Sequence, residues 1–495
     1  MSGSGSVEET AARGPAQKGA LGLLRGGAAN LVGPIVSTVV FAVTTPFYLR
    51  VVGLQRFGLL VLFWLLTGYF GVFHAGLSSA TCQALAGRRG RARAERGAFL
   101  RASLAVAAVA GLLGGACFWA SGRPLLRIAV ASLSPALSRE AVGCLPWLAL
   151  AVPLAAVASV LVGALDSAER FVCANALQVG ASALGRVLPL AAAVLVAPRL
   201  PLLIAAGVVG QGVGCAGLAA ASWADLRPWT ADWRAMPRLL RYGLWASVSG
   251  AVGPFLQSMD RVGVSAFFGS AALGIYSIPM SVSFRLTAFA GAFARTIFPR
   301  LSARGAGALA LARGALELLV VTWTPVIVVA MLLMHLGLRL WVGQRIGAAA
   351  APVGVVLLAG MWANGLAVIP YFHSYSQSRP DLVAKIHLVE VLPFLAVLWL
   401  SLRIWGMFGA ALAWDLRVVV DAILLFRCSG FRLSDLRIAA VAVAFVAAAL
   451  VLALYGLRTW AGWEAGALLV AGCLIWSGVS ARSAFLSLVT EGTHA

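Results

Sequence analysis

Charge is what this sequence has least of. Charged residues fill 11% of its 495 positions and only two lysines occur, Lys18 and Lys385, whereas a soluble domain carries about 25% charge. With hydrophobic residues at 61% and a mean hydropathy of +0.93, that shortage excludes a sizeable water-soluble domain. Polar stretches between apolar runs reach only about twenty residues, which suits tight helical hairpins. The seven cysteines, Cys82, Cys117, Cys144, Cys173, Cys215, Cys428 and Cys473, mostly lie inside apolar runs without CxxC spacing, so neither a disulfide framework nor a thiolate metal site is expected. The first twenty residues are polar and contain no apolar h-region, so no cleavable signal is expected. No GxxxxGK[ST] occurs, leaving the chain without a P-loop of its own. His74, His335, His373 and His387 stand apart from one another and from Cys or acidic residues at ligand spacing, so packed or interfacial roles are expected for them.

What the sequence does have is apolar length. About 20 apolar residues cross a hydrocarbon core of roughly 30 Å, and fourteen such spans are predicted: 27–49, 57–85, 102–120, 141–164, 176–197, 201–222, 242–268, 271–293, 315–337, 352–374, 387–404, 408–426, 438–456 and 465–481. The fold class is therefore an all-α polytopic membrane protein. With the amino terminus inside, about 24 basic residues fall in inner turns and termini against about 10 in outer turns, which places both termini in the cytoplasm. The net charge of +21 sits in these short turns beside helix ends. There it meets anionic lipid and sets orientation, and no nucleic acid is expected as a partner.

The segment Leu24–Gly58 recurs as Leu240–Gly274 at a constant offset of 216, pairing Arg25 with Arg241, Gly27 with Gly243, Gly53 with Gly269 and Gly58 with Gly274. The shared register carries the signal, because each identity alone is weak. A parallel repeat of multi-helix halves is a transporter architecture. The expected organisation is a cytoplasmic tail at 1–26, a first six-helix bundle at 27–222, a linker at 223–241, a second bundle at 242–426, two extra helices at 427–481 and a second cytoplasmic tail at 482–495.

Ionisable residues inside spans are where function is sought, since each costs roughly 2.5–3.5 kcal/mol at mid-membrane unless it faces a wet cavity or a partner. They are Arg186, Asp260, Arg261, Arg285, Glu390, Asp415, Arg417 and Asp421. Arg313 and Glu317 are spaced for an interfacial i,i+4 pair, a structural role. Arg417 and Asp421 have the same spacing and can neutralise each other on one helix face; Asp415 lacks that escape. Asp260 and Arg261 lie about 100° apart around a helix and cannot point the same way. No carboxylate lies within a turn of Arg285 in sequence, so an anionic substrate or a carboxylate on another helix are its two expected partners. Gly210, Gly212 and Gly214 form a GxGxG that no strand precedes, and a close-packing helix face is expected there.

The stretches FYLRVVGLQRFGLL (47–60), GLSSATCQALA (76–86), YGLWASVSGAVGPFLQSMDRVGVSAFFGSAALGIYSIPMSVSF (242–284) and GMFGAALAWDLRVVVDAILL (406–425) resemble bacterial polysaccharide biosynthesis exporters. These are the lipid-linked oligosaccharide flippases, of O-antigen type, of the multidrug, oligosaccharidyl-lipid and polysaccharide exporter superfamily. The resemblance implies a V-shaped pair of six-helix bundles plus two C-terminal helices, enclosing a cavity that opens alternately to each side of the bacterial inner membrane. It further implies cations that engage the pyrophosphate of an undecaprenyl carrier. Arg261 and Arg285 match that role best, with Arg25, Arg50 and Arg417 behind them; Asp260, Glu390 and Asp415 are candidates for coupling or ion pairing. Arg25 and Arg241 could instead anchor helix ends at the interface. No cofactor is expected beyond a coupling ion of unknown identity, and polymerase or assembly machinery is a conceivable partner. Two other classes compete. A multidrug extruder of the same superfamily usually needs an acidic cavity, and the first span here holds no carboxylate. A glycosyltransferase, polymerase or ligase wants a long outer loop, and the longest expected here, 121–140, holds Glu140 as its acidic residue. No enzymatic activity is expected.

Overall fold

In a bilayer every backbone N–H and C=O must be satisfied within the chain, and helices do this without partners. The computed structural model describes residues 15–88, 92–130, 133–226, 231–233, 236–237, 252–303, 307–377, 379–457 and 459–493, and their regular structure is helix, with no strand among them. The principal helices are α1 (Pro15–Val51), α2 (Leu54–Ala86), α3 (Arg93–Ala129), α4 (Pro135–Gly143), α5 (Leu145–Ser167), α6 (Phe171–Leu195) and α7 (Leu200–Ser222). They continue with α8 (Met259–Ala303), α9 (Ala308–Val342), α10 (Gln344–Ser376), α11 (Pro380–Cys428), α12 (Arg437–Val451) and α13 (Trp460–Thr493).

Among the described residues, 11 helices are long and apolar enough to cross a membrane. Two of these carry a positive-φ break, at Gly269 in α8 (φ 81°) and at Gly406 in α11 (φ 62°), and each counts as two spans. With α2 taking the place after α1, the order follows the fourteen predicted spans. The expected outer loop 121–140 is instead mostly helix. Helix α3 runs on to Ala129 and α4 begins at Pro135. Leu137 and Ala141 on α4 are buried, and Glu140 accepts two hydrogen bonds from Arg56, at 3.0 Å from Nε and 2.6 Å from Nη2. That burial and that bidentate pair give an otherwise polar segment a reason to stay ordered.

The chain divides into two compact units, one comprising Met1–Thr44, Phe73–Trp119 and Cys144–Ser247, the other Thr45–Val72, Ala120–Gly143 and Val248–Ala495. In the first, α7 packs on α5 and α6, around Leu161, Leu165, Ala174 and Leu218. A Cβ on Gly210 would stand 3.0 Å from the backbone of Leu184 and Gly185, and one on Gly214 would overlap the Ala181 methyl. Gly210 and Gly214 are thus the close-packing face expected there, while a Cβ on Gly212 would meet nothing within 4 Å. In the second unit, α10 packs against α8, α9 and α11; Leu256, Val264, Tyr276, Met361, Phe394 and Trp414 share its core. Large apolar side chains such as Leu113, Ile128, Leu392 and Leu468 are exposed, as a chain solvated by hydrocarbon requires.

The repeat reappears inside the second unit. Gly53 (φ 83°) and Gly269 (φ 81°), equivalent at the offset of 216, both hold the left-handed conformation that favours glycine. Each ends the first helix of its copy. Five residues on, the equivalent glycines approach each other: a Cβ on Gly274 would stand 3.6 Å from Cα of Gly58 and 3.1 Å from the Leu54 carbonyl oxygen. A Cβ on Gly58 would overlap the carbonyl oxygen of Ser270. Arg241 and Gly243 lie outside the described residues.

Candidate functional site

Of the charged residues predicted inside spans, all but Arg186 lie in the second unit, and two glycine breaks bring several of them together. Glu390 and Arg417 belong to the same helix, α11. A straight helix rising 1.5 Å per residue would hold two positions 27 apart at about 40 Å, yet Arg417 Nε stands 3.4 Å from Glu390 Oε2. The break at Gly406 lets the second half of α11 return along the first. Likewise His387 Nε2 lies 3.5 Å from Asp421 Oδ1. The break at Gly269 does the same for α8, where the Tyr276 hydroxyl donates to Asp260 Oδ2 at 2.7 Å. Asp260 is wholly buried, with Arg261 Nε at 4.0 Å from its other oxygen.

These contacts correct two expectations. Arg417 and Asp421 do not neutralise each other along one helix face; Glu390 takes Arg417, and His387, expected to be packed or interfacial, takes Asp421. Arg313, expected to pair with Glu317, engages Asp435 at 2.8 Å. In each case the partner is distant in sequence, where periodicity on a single helix carries no signal.

The other predicted site residues are placed as follows. Arg261 donates from Nη2 to the Gln257 carbonyl at 2.9 Å, and Arg285 from Nη1 to the Ser281 carbonyl at 2.9 Å. Both guanidinia therefore curl back on their own helix. Arg50 is exposed at the end of α1, and the Arg25 side chain lies outside the described residues. The Asp415 carboxylate sits against the Gly360 backbone of α10, so closely that a Cβ there would overlap it. Arg417 is within electrostatic reach of Asp260.

A cavity of about 700 Å³ opens beside this network. Gln257, Asn364, Tyr371, Tyr375, Arg417 and Asp421 line it, together with His387, Asp381 and Arg295. Arg417 and Asp421 are 92% and 96% buried respectively. Yet Arg417 Nε and Nη1 and Asp421 Oδ1 have no protein hydrogen-bond partner of proper geometry. Buried charges held in ion-pair range but short of hydrogen bonds retain capacity for a polar ligand. Sequence reading singled out Arg417 and Asp421 here, named His387 only as a packed or interfacial residue, and missed Tyr371, Tyr375 and Asn364, uncharged residues that carry no in-span charge to mark them. No group of three or more His, Cys, Asp or Glu arranged to hold a metal occurs among the described residues.

Comparison with known proteins gives three findings. Residues 116–346 match the model of a family described as polysaccharide biosynthesis protein. A Shigella flexneri protein named "Putative O-antigen transporter" is 31% identical over 201 residues, covering 39% of this chain; the match spans about half of that relative, 47% of its length. In fold, the chain is similar to the lipid II flippase MurJ in an inward closed conformation, with a TM-score of 0.71, 14% identity and coverage of 93% of this chain and 99% of that one. It is also similar to an inward-facing multidrug resistance MATE transporter of the MOP superfamily, with a TM-score of 0.67, 15% identity and coverage of 84% and 98%.

Proposed function

We infer that this chain belongs to the polysaccharide biosynthesis branch of the multidrug, oligosaccharidyl-lipid and polysaccharide exporter superfamily and translocates an undecaprenyl-pyrophosphate-linked oligosaccharide across the bacterial cytoplasmic membrane by alternating access, a reading supported by the family match, the O-antigen transporter relative and the flippase-like fold. The observation that carries the reading is the buried, ligand-accessible Arg417–Glu390 and Asp421–His387 network beside a roomy polar cavity. Polar groups at such depth are expensive unless they serve a pathway. No bond need be made or broken. A hydroxyl-rich, charged head is moved through hydrocarbon by replacing its water with protein hydrogen bonds, while the polyprenyl tail stays in lipid.

In this reading Arg261 and Arg285 meet the pyrophosphate. Each donates to a main-chain carbonyl one turn away, a contact that a doubly charged phosphate would outcompete. Arg25 and Arg50 are proposed as secondary contacts along the route. Asp260, Glu390 and Asp415 are proposed to carry the coupling, and both termini are proposed to be cytoplasmic. The rival, a cation-coupled multidrug extruder, shares the fold and draws support from the three buried carboxylates Asp260, Glu390 and Asp421.

Complementation decides between them. In a strain lacking its own lipid-linked oligosaccharide flippase, the wild type restores surface glycan, and Arg261→Ala and Arg285→Ala at matched membrane levels do not. A wild type that fails across several glycan backgrounds while raising resistance to cationic drugs establishes the extruder instead.

A further inference from the structure

The cavity beside α10 carries a second kind of information, in its aromatic wall and its charge balance. Tyr371 and Tyr375 stand one turn apart on α10 with their rings stacked, centroids 4.7 Å apart and planes at 27°. Tyr375 is 41% exposed. The same cavity is lined by the side-chain amides of Gln257 and Asn364 and by Arg417 and Asp421. Such a wall offers an apolar plate together with both donors and acceptors.

Charge decides what fits. Asp381, Asp421, Arg295 and Arg417 all line the cavity, so the signs balance; the Arg417 charge is matched by Glu390 at 3.4 Å and that of Asp381 by Lys385 at 2.9 Å. A pyrophosphate entering here would face the buried Asp421 carboxylate and find its best-buried cation taken. An organic cation would face two guanidinia. A purely apolar ligand would leave the buried Arg417 and Asp421 atoms without hydrogen-bond partners. An uncharged pyranose meets every demand: its hydroxyls both donate and accept, matching Arg417, Asp421 and the two amides. Its C–H face lies against an aromatic ring. The volume of about 700 Å³ is ordinary for a small-molecule site.

We propose that this cavity is a subsite for an uncharged sugar residue, with Tyr371 and Tyr375 as the stacking plate and Arg417 with Asp421 as the hydroxyl-binding pair. Arg417 thereby leaves the set of pyrophosphate-contacting cations and becomes a glycan contact. The proposal rests on the transport reading only in making the sugar part of the cargo; binding itself is measured without transport.

Saturation-transfer NMR on the full chain in detergent micelles tests it, using the methyl glycosides of glucose, galactose, mannose, rhamnose and N-acetylglucosamine, with inorganic pyrophosphate as competitor. At least one glycoside is expected to receive saturation on its ring C–H protons and to resist displacement by pyrophosphate. Tyr375→Ala, at an exposed residue where folding tolerates the change, weakens binding roughly two- to tenfold, the worth of one aromatic contact; Tyr375→Phe, which keeps the ring, preserves it. Transfer to none of the five glycosides, displacement by pyrophosphate, or indifference to Tyr375→Ala overturns the proposal. Complementation that succeeds while glycoside binding fails removes only this subsite. Binding that persists where complementation fails removes only the transport reading.

Discussion

Arg417 owes its burial to Glu390, and the pair has a measurable asymmetry. Removing one member of a buried ion pair strands the other and costs about 3–5 kcal/mol, whereas replacing both with apolar residues of similar volume is often neutral. Arg417→Met is therefore expected to lower thermal stability in detergent sharply, Glu390→Leu likewise, and the double variant to recover most of the loss. Equal losses in single and double variants would show that the 3.4 Å contact contributes nothing to the fold. Transport should separate from stability in the same set: the double variant is expected to regain its fold and still fail to restore surface glycan, because the proposed hydroxyl-binding guanidinium and the proposed coupling carboxylate are both gone. Each of these residues was legible in the sequence as a costly charge in an apolar run. Their pairing was not, since an arginine shows only its own helical neighbours in sequence and Asp421 at i+4 was the visible partner.

At the scale of elements, the glycines do the work that the charges depend on. Gly269 and Gly406 turn one long helix into two returning spans and so bring Tyr276 to Asp260 and Arg417 to Glu390. Gly58 has a different task, the close passage of α2 against α8 at Ser270. Gly58→Ala is expected to force these backbones apart at a cost of about 1–3 kcal/mol, as overpacking does. Gly68→Ala on the same helix, with nothing within 4 Å of the added methyl, provides the control, and gains slightly from helix propensity. Thermal unfolding of the two variants side by side checks this, and equal midpoints would refute the close approach. The repeat register had already singled out Gly53, Gly58, Gly269 and Gly274 together. That two of them would meet each other was beyond it.

Across the whole molecule, the first half of the chain contributes to both compact units, since 45–72 and 120–143 join the second one. Arg56 and Glu140, 84 positions apart, tie these two segments to each other. Their side chains are 36% and 19% exposed, so solvent screening holds the pair to about 1 kcal/mol. A double-mutant cycle with Arg56→Gln and Glu140→Gln, read by unfolding in detergent, is expected to return a coupling of that size, and a coupling of zero would mean the segments are held by Leu137 and its apolar contacts alone. The expected outer loop at 121–140 failed at this scale for a simple reason. Hydropathy marks where a helix leaves hydrocarbon, and nothing in it marks where the helix ends.

The sequence by itself determined that the chain is a polytopic helical membrane protein built on a repeat of two related halves, because bilayer thickness and obligatory backbone hydrogen bonding act on each segment locally. It also marked the few charges that must have a purpose, since burying each is costly wherever it comes to rest. Only the tertiary structure decided which carboxylate meets which guanidinium, that His387 faces Asp421, and that two tyrosines on α10 wall a polar cavity. Those contacts join residues that are remote along the chain, and their energies exist only once the glycine breaks have folded the helices back on themselves.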